Sequence, residues 1–537
     1  MTLSRYLGRR GRAMITAGLL GLAGCTVGPD FAPPATPLAD AGDYLDTGLV
    51  APTPRRLLAR TIDAEPDVAW WLAFRDPVLA QLEDRLAAQN LDVQTTTARL
   101  FQSRSQINTA AAAGLPTLNG QGSAYRQQFS KNGTIGLLSN SLGSLTGGSS
   151  GASSGNLTAP LTNGFESYTL GFDASWELDL WGKVRRSVES AEAQADASAE
   201  ARRDALISGQ AELARAYVQL RGTQELIRID LANIRVNEQI LDVVRVRQQK
   251  GLVTGLDTSS AAQQVEAIKA QLPQLQQQEI QQINAISLLL GEPPLALSQE
   301  LVAGPSIPPV PPRIPIGVPS SLVMRRPDIR RAEANLHSAV AEIGVAEAQF
   351  FPSVTLTGSP TVNSVDPGKL FRGSSLQYMN IGPSISIPLF EGGRLKSNLV
   401  LQRARQQEAA IAYQKAVLQG WHDVVNALAA LRGDEARRAR LARQVADARQ
   451  ALALSRARYV QGVEIFTTVL QASQTVLQAE TSLSQATAAI STDFVALSKA
   501  LGGGWETTFP VGRTPPLSLA KVGIPLTDVV HDGALGR

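Results

Sequence analysis

The chain has 537 residues and carries 50 Lys and Arg against 47 Asp and Glu, a formal charge of +3. The charges are spread along it, and no basic patch is interleaved with aromatics, which argues against a nucleic-acid binder. A single cysteine excludes a disulfide framework, and no run of about 18 apolar residues offers a transmembrane helix.

Arg5, Arg9, Arg10 and Arg12 precede a short apolar stretch, 13–23, that ends in Leu22-Ala23-Gly24-Cys25. This is a signal-peptide pattern over 1–24, too short to span a membrane. It resembles a bacterial lipoprotein signal, which implies cleavage before Cys25 and lipid on its thiol and new amine. Two or three acyl chains anchor a protein stably, whereas one is marginal. Thr26 in place of Asp at the next position then implies sorting to the outer membrane. The alternative is an ordinary small cysteine.

A lipidated segment, 25–76, leads into a helix expected at about 77–113, in which Asp92 matches Asp328 of the second copy. A weakly patterned strand follows at about 116–129, then a loop, 130–163, dense in Gly, Ser, Asn and Thr. In 165–181, Leu170, Phe172, Ala174, Trp176, Leu178 and Leu180 alternate with Thr169, Gly171, Asp173, Ser175, Glu177 and Asp179. That is a period-two strand, apolar on one face and polar on the other. A helix over 183–250 comes next, with Leu206, Leu213, Leu220, Ile227, Ile234 and Leu241 recurring every seven residues. A sustained heptad is coiled-coil packing, and at 1.5 Å per residue the helix reaches roughly 100 Å. It ends at Gly251, a C-cap residue, and Asp257 fits the N-cap of a return helix over 257–290.

A Pro-rich linker, 291–319, separates this first repeat, 77–290, from a second, 320–501. Arg221-Gly222 recurs as Arg432-Gly433, Gly251 as Gly462 and Gly291 as Gly502, each 211 positions on. The second repeat has a helix from Pro327, a hairpin over about 351–390 and a long helix with Val417, Val424, Leu431, Arg438, Val445, Leu452 and Tyr459 at the matched heptad positions. A tip over 461–466 and a return helix capped by Thr467 follow, and then a tail, 502–537. The alignment sets Asp257 against Thr468 and Ser260 against Gln471.

One chain thus offers four strands of the length that suits a tilted barrel strand, and four strands cannot close a barrel. Open sheet edges do not survive in hydrocarbon, so several chains must share one barrel if the strands span a membrane. A lipid-anchored coiled-coil spacer with no pore is the rival reading of the same helices, and it leaves the matched alternating strands unexplained.

The residues Cys25 to Phe31, Trp71, Phe74 and Asp76 to Leu79, Glu177 to Gly182, Arg326-Pro327-Asp328-Ile329 and Gly502-Gly503-Gly504-Trp505 resemble the TolC/OprM-type outer-membrane factors, in the lipidated branch that serves RND efflux pumps. The resemblance implies an α+β membrane protein with internal duplication. It implies a homotrimer whose twelve-stranded β-barrel, four strands per chain, continues into a long α-helical coiled-coil barrel with a mixed equatorial domain. It implies a non-enzymatic exit duct for small molecules, with no cofactor, no metal and no catalytic residue. The partners it implies are outer-membrane lipid, a periplasmic adaptor and an inner-membrane RND pump. A type I secretion duct of the same fold is the rival within the family.

The resemblance also implies where the duct opens. Asp257 matches an acidic gate position, although it equally fits a cap. Tyr459 matches a gate tyrosine, although it also sits at a heptad core position. Glu464 is a tip acid or a solvated charge. Gly251, Leu252 and Val253, with Gly462 and Val463, match adaptor-docking tips. Relatives carry a Leu-Asp-Ala run beyond the second tip, where this chain has Leu470-Gln471-Ala472, and an earlier Asp is Thr468. A ring of Asp around a narrow axis selects cations, and a ring of Gln lacks that charge. His337, His422 and His531 are scattered and have no cysteine partner for a metal site.

Overall fold

A computed structural model describes residues 26–34, 60–62, 64–128, 130, 165–302, 306–317 and 319–509. Cys25 and the expected signal peptide, nearly all of the Gly/Ser-rich loop and the tail from 510 onward lie outside the described residues. The elements in chain order are β1 (Arg60–Ile62), α1 (Pro77–Gln89), α2 (Leu91–Ala112), β2 (Thr117–Gln127), β3 (Phe165–Leu178), α3 (Lys183–Gln249), α4 (Gly255–Lys269) and α5 (Leu272–Leu289). After these come α6 (Ser298–Leu301), β4 (Arg313–Pro315), α7 (Leu322–Arg325), α8 (Pro327–Ala348), β5 (Ser353–Ser364), β6 (Leu376–Ser386), α9 (Arg394–Val460) and α10 (Phe466–Ala500). Two compact units result, one comprising 1–31, 105–192 and 337–406, the other the remainder.

The first unit is built on one antiparallel sheet, in the order β2-β3-β5-β6. Its register sorts side chains by chemistry. Leu178, Val354 and Ile385 lie side by side, as do Trp176, Leu356 and Pro383, and Leu170, Val362 and Leu376. The alternate rows set Glu177 beside Thr355 and Ser384, and Gly171 beside Thr361 and Gln377. Because successive residues of a strand point to opposite faces, one face is apolar and the other polar. Leu118, Leu170, Phe172, Trp176, Leu356 and Ile385 on the apolar face are all exposed. A contiguous apolar surface of this kind marks an interaction or membrane face. Gly171 lets β3 and β5 approach: a Cβ there would meet the Pro360 carbonyl at 2.6 Å and the Thr361 Cγ2 at 2.5 Å.

The sheet passes to helix at a built junction. Asp179 accepts from the backbone N–H groups of Val184 (3.2 Å) and Arg185 (3.0 Å), satisfying the open first turn of α3. The Trp181 ring stacks on Phe351 at 4.8 Å, and its indole N–H donates to the Pro352 carbonyl at 2.7 Å. The segment after Cys25 docks here. Val27 N–H donates to the Trp181 carbonyl at 3.1 Å. The buried Arg186 donates to the Val27 and Gly28 carbonyls, both at 3.3 Å, to Asp30 at 2.6 Å and to Glu189 at 2.7 Å.

The second unit is helical. Its core gathers Trp70, Trp71, Phe74, Leu79, Leu82, Leu206, Leu213, Leu220, Phe494 and Trp505. Asp76 caps α1 by accepting from Val78 N–H (2.9 Å) and Leu79 N–H (3.3 Å), and its other oxygen accepts from the Tyr217 hydroxyl at 2.7 Å. Arg221 donates to that hydroxyl at 3.1 Å and to the Leu301 carbonyl at 3.0 Å. Arg326 donates to Asp328 (2.7 Å), Asp423 (3.0 Å) and the Ala500 carbonyl (3.0 Å), which ties α8, α9 and α10 together.

Three expectations about helices are corrected. The helix expected over 77–113 breaks at Asn90, whose side chain accepts from the N–H groups of Asp92 and Val93 (both 3.0 Å) and donates to the Leu289 carbonyl (2.8 Å). The return helix over 257–290 is two helices, α4 and α5, with Pro273 in the first turn of the second, where its missing N–H costs nothing. The caps also differ. Thr254 caps α4 and Asp257 is its third residue; Ile465 caps α10 and Thr467 is its second. Of the heptad positions, Ile227 is only half-buried and Arg438 is not apolar, whereas the other named ones are buried.

Asp493 on α10 lies against Asp434 on α9, and burial first, then that second carboxylate, pushes Asp493 up to about 7 from 3.8. The folded chain therefore holds this proton more tightly than the unfolded chain, so the group's stabilising effect is complete below about pH 4 and is lost as pH rises through its folded value. Asp493→Asn is expected to raise the unfolding temperature at pH 8 and leave it unchanged at pH 4, measured by scanning calorimetry at both.

Candidate functional site at the helical tips

Each long helix ends in the same left-handed turn. Gly251 has φ +70° and Gly462 has φ +80°. Gly251 N–H donates to the Gln248 carbonyl (2.8 Å) and Leu252 N–H to the Arg247 carbonyl (2.9 Å). Gly462 N–H donates to Tyr459 (3.0 Å) and Val463 N–H to Arg458 (3.1 Å). This pair of bonds satisfies carbonyls the helix leaves open, and it needs a residue that tolerates positive φ.

The next helix then starts differently in the two tips. In the first, the Asp257 carboxylate turns back to accept from the Thr254 N–H and hydroxyl, both at 3.0 Å. In the second, Glu464 accepts from the Thr468 hydroxyl at 3.0 Å and pairs with Arg458 at 3.7 Å. Glu464 is thus bound locally and is not a free solvated charge. Gln471 is exposed one turn on, and its carbonyl accepts from Thr475 at 2.8 Å. Its side chain bonds to none of the other candidates among the described residues.

Tyr459 is 5% exposed, within a core shared by Val244, Val265, Phe466 and Val469. Its ring lies 5.7 Å from that of Phe466. On another side the Arg247 guanidinium sits 4.6 Å from its centroid and donates to its carbonyl at 2.5 Å. A cation over an aromatic face gains electrostatic attraction as well as the hydrogen bond. Burial pushes the phenol above its ordinary value, with Arg247 opposing and Asp257 reinforcing the shift.

Sequence reasoning missed Arg247. The signal was present: Arg247 matches Arg458 in the 211-position register, and both lie in a last helical turn, where a cation suits the helix dipole. One arginine stays in its own tip and the other crosses to the opposite repeat. Deeper in, Ser473 donates to Asn237 (3.0 Å) and Gln474 to Gln264 (2.8 Å). At the surface, Leu252 (63% exposed), Leu256 (75%), Val460, Val463 (63%) and Ile465 face solvent, while Val253 is half-buried. No group of three or more potential metal ligands exists among the described residues.

Removing the Arg247 contact should loosen the second tip. Arg247→Ala is expected to speed amide exchange over 459–466 by about ten-fold, the equivalent of ~1.4 kcal/mol for a bond to a charged donor, as read by hydrogen-exchange mass spectrometry.

The family model described as "Outer membrane efflux protein" matches residues 82–292 and 318–503. The pyoverdine export outer membrane protein OpmQ of Pseudomonas aeruginosa is 31% identical over 464 residues, covering 86% of this chain and 93% of that one. The probable efflux pump outer membrane protein TtgC of Pseudomonas putida is 30% identical over 503 residues, covering 91% and 94%. The solved outer-membrane channel OprN superposes with a TM-score of 0.76 at 30% identity, covering 90% of this chain and all of that one. The chain therefore belongs to the outer membrane efflux protein family, as an outer-membrane exit channel of an efflux system.

Proposed function

We propose that three copies of the chain form one duct, with twelve strands closing a barrel in the outer membrane and the long helices lining a tunnel in the periplasm. The carrying observation is the four-stranded sheet, whose faces are sorted into apolar and polar and whose edge strands, β2 and β6, each pair on one side only among the described residues. With four antiparallel strands, β6 of one copy and β2 of the next run in opposite directions, so a head-to-tail ring continues the same pairing until it closes. Lipid then covers Leu170, Phe172 and Trp176, and water meets Asp173 and Glu177.

In this reading the signal peptide, 1–24, is removed, and Cys25 carries lipid. Arg186 would hold the following segment at the strand–helix junction, beside Trp181, a residue suited to a membrane interface. Segments 25–76, 291–319 and 502–537 form the equatorial belt around repeats 77–290 and 320–501. The duct takes small molecules from an inner-membrane RND pump through a periplasmic adaptor. Gly251, Leu252, Val253, Gly462 and Val463 form the adaptor-docking tips, where the exposed Leu252 and Val463 offer apolar contact. Tyr459 and Arg247 join the two repeats of one chain at the gate, and Glu464, Thr468 and Asp257 brace the turns beside it. Asp257 supplies the remaining acidic ring.

Two measurements test the reading. Phe172→Lys on the apolar face is expected to destabilise insertion by about 2–4 kcal/mol if it lies near the bilayer midplane and to abolish channel conductance in planar bilayers; Ser175→Lys, on the polar face, should still insert and conduct. Gln471→Asp is expected to raise cation over anion permeability in single-channel reversal potentials, and an unchanged ratio would remove Gln471 from the constriction.

A further inference from the structure

Arg438 breaks an otherwise apolar heptad seam on α9, between Leu431 and Val445, and its match in the first repeat is Ile227. The structure has a cavity of about 680 Å³ at this position, within the second unit. It lies between α3, α9, α10 and the linker residues 306–312, and its volume falls within the range of small-molecule sites. Its apolar lining includes Ile229, Ile307, Val445 and Ile490, all buried.

The polar lining is unequally satisfied. Arg228 donates to Glu225 at 2.8 Å, and Arg449 pairs with Glu480 at 2.6 Å. Glu480 also accepts from Asn233 at 3.0 Å. Arg438 donates its Nε–H to the Thr487 hydroxyl at 3.1 Å but has no carboxylate within 4.0 Å among the described residues. Asp434, one turn earlier, pairs with Arg437 at 3.9 Å. Ser484 also lines the cavity; it is 6% exposed, and its hydroxyl has no hydrogen-bond partner among the described residues. The cavity thus combines an apolar body, one uncompensated guanidinium and one idle buried hydroxyl. The unmade buried hydrogen bond costs free energy, and one anionic ligand group could relieve it while pairing with the half-buried Arg438 guanidinium.

The geometry points to a binding site for an amphipathic organic monoanion, a carboxylate or sulfonate on a hydrocarbon or aryl body. The head group takes Arg438 and the Ser484 hydroxyl, and the body lies against Ile229, Val445 and Ile490. A cationic amphiphile would meet Arg438 with like charge. The inference needs only the second unit and does not rest on the duct reading.

The test uses the full-length protein in lipid nanodiscs, with 11-(dansylamino)undecanoate as fluorescent probe and empty nanodiscs as blank. Saturable binding of about one probe per chain is expected. Arg438→Ile, which installs the side chain of the matched position, should weaken it about ten-fold or more, the worth of one charge-assisted contact. Arg438→Lys should keep most of it, and Ile229→Trp, which obstructs the cavity, should remove it. The same dansyl chain ending in an ammonium should not saturate. Bilayer conductance is read on each variant, so that a lost site with an intact channel is distinguished from a lost fold. If Arg438→Ile misfolds by that measure, Thr487→Val with Ile229→Trp decides. The proposal is overturned if no binding exceeds the blank, if the ammonium chain binds equally, or if Arg438→Ile in a conducting channel changes affinity by less than about two-fold.

Discussion

A sheet placed in hydrocarbon must satisfy every backbone N–H and C=O without water, and one chain of this protein cannot do so. Among the described residues the four strands of this sheet leave β2 and β6 with one open edge each, and its apolar face is exposed. Much else can be derived from that constraint. In the proposed ring, other copies would supply the missing partners, and the even strand count would keep the pairing antiparallel. The sorting of Trp176, Leu356 and Pro383 to one face, and of Glu177, Thr355 and Ser384 to the other, is what a wall between lipid and water requires. A one-residue slip in register would reverse both faces, and the tight approach at Gly171 helps to prevent it.

The junction below the sheet meets the second demand, which is to turn a strand into a very long helix without leaving polar groups open. Asp179 satisfies the first turn of α3, and Trp181 lies against Phe351 and Pro352 of the other hairpin. Arg186 then gathers Val27, Gly28 and Asp30. The segment that follows Cys25 is therefore held at the junction by charge-assisted hydrogen bonds rather than left loose.

At the far ends of the helices the two repeats use one turn and two kinds of bracing. Gly251 and Gly462 close their helices by identical hydrogen bonds. Arg458 then stays with Glu464, while Arg247 reaches the Tyr459 carbonyl and ring. A contact between repeats has to form and break if the tips are to part, whereas a contact within a tip does not. The cavity at Arg438 shows the same inequality further along: a position filled by Ile227 in one repeat carries in the other a guanidinium with no carboxylate within 4.0 Å among the described residues.

What the amino-acid sequence determined by itself was whatever rests on short-range periodicity. The alternation from Leu170 to Leu178 gave the two-faced strand, the seven-residue spacing from Leu206 to Leu241 gave the long helix, and glycines at matched positions marked its end, because each pattern is dictated by backbone geometry over a few residues. Helix starts were less legible: Asp257 and Thr467 are plausible caps by type, yet Thr254 and Ile465 occupy the cap positions, since neighbouring Thr, Asp and Glu side chains compete for the same open N–H groups. The break at Asn90 was hidden because it depends on the Leu289 carbonyl, 199 positions away. The tertiary structure alone decided that Arg247 rather than Arg458 crosses to the other repeat, that Arg186 receives the N-terminal segment, and that the polar heptad position opens into a cavity. Each depends on which distant backbone and side chains come within hydrogen-bonding distance, and sequence spacing carries no record of that.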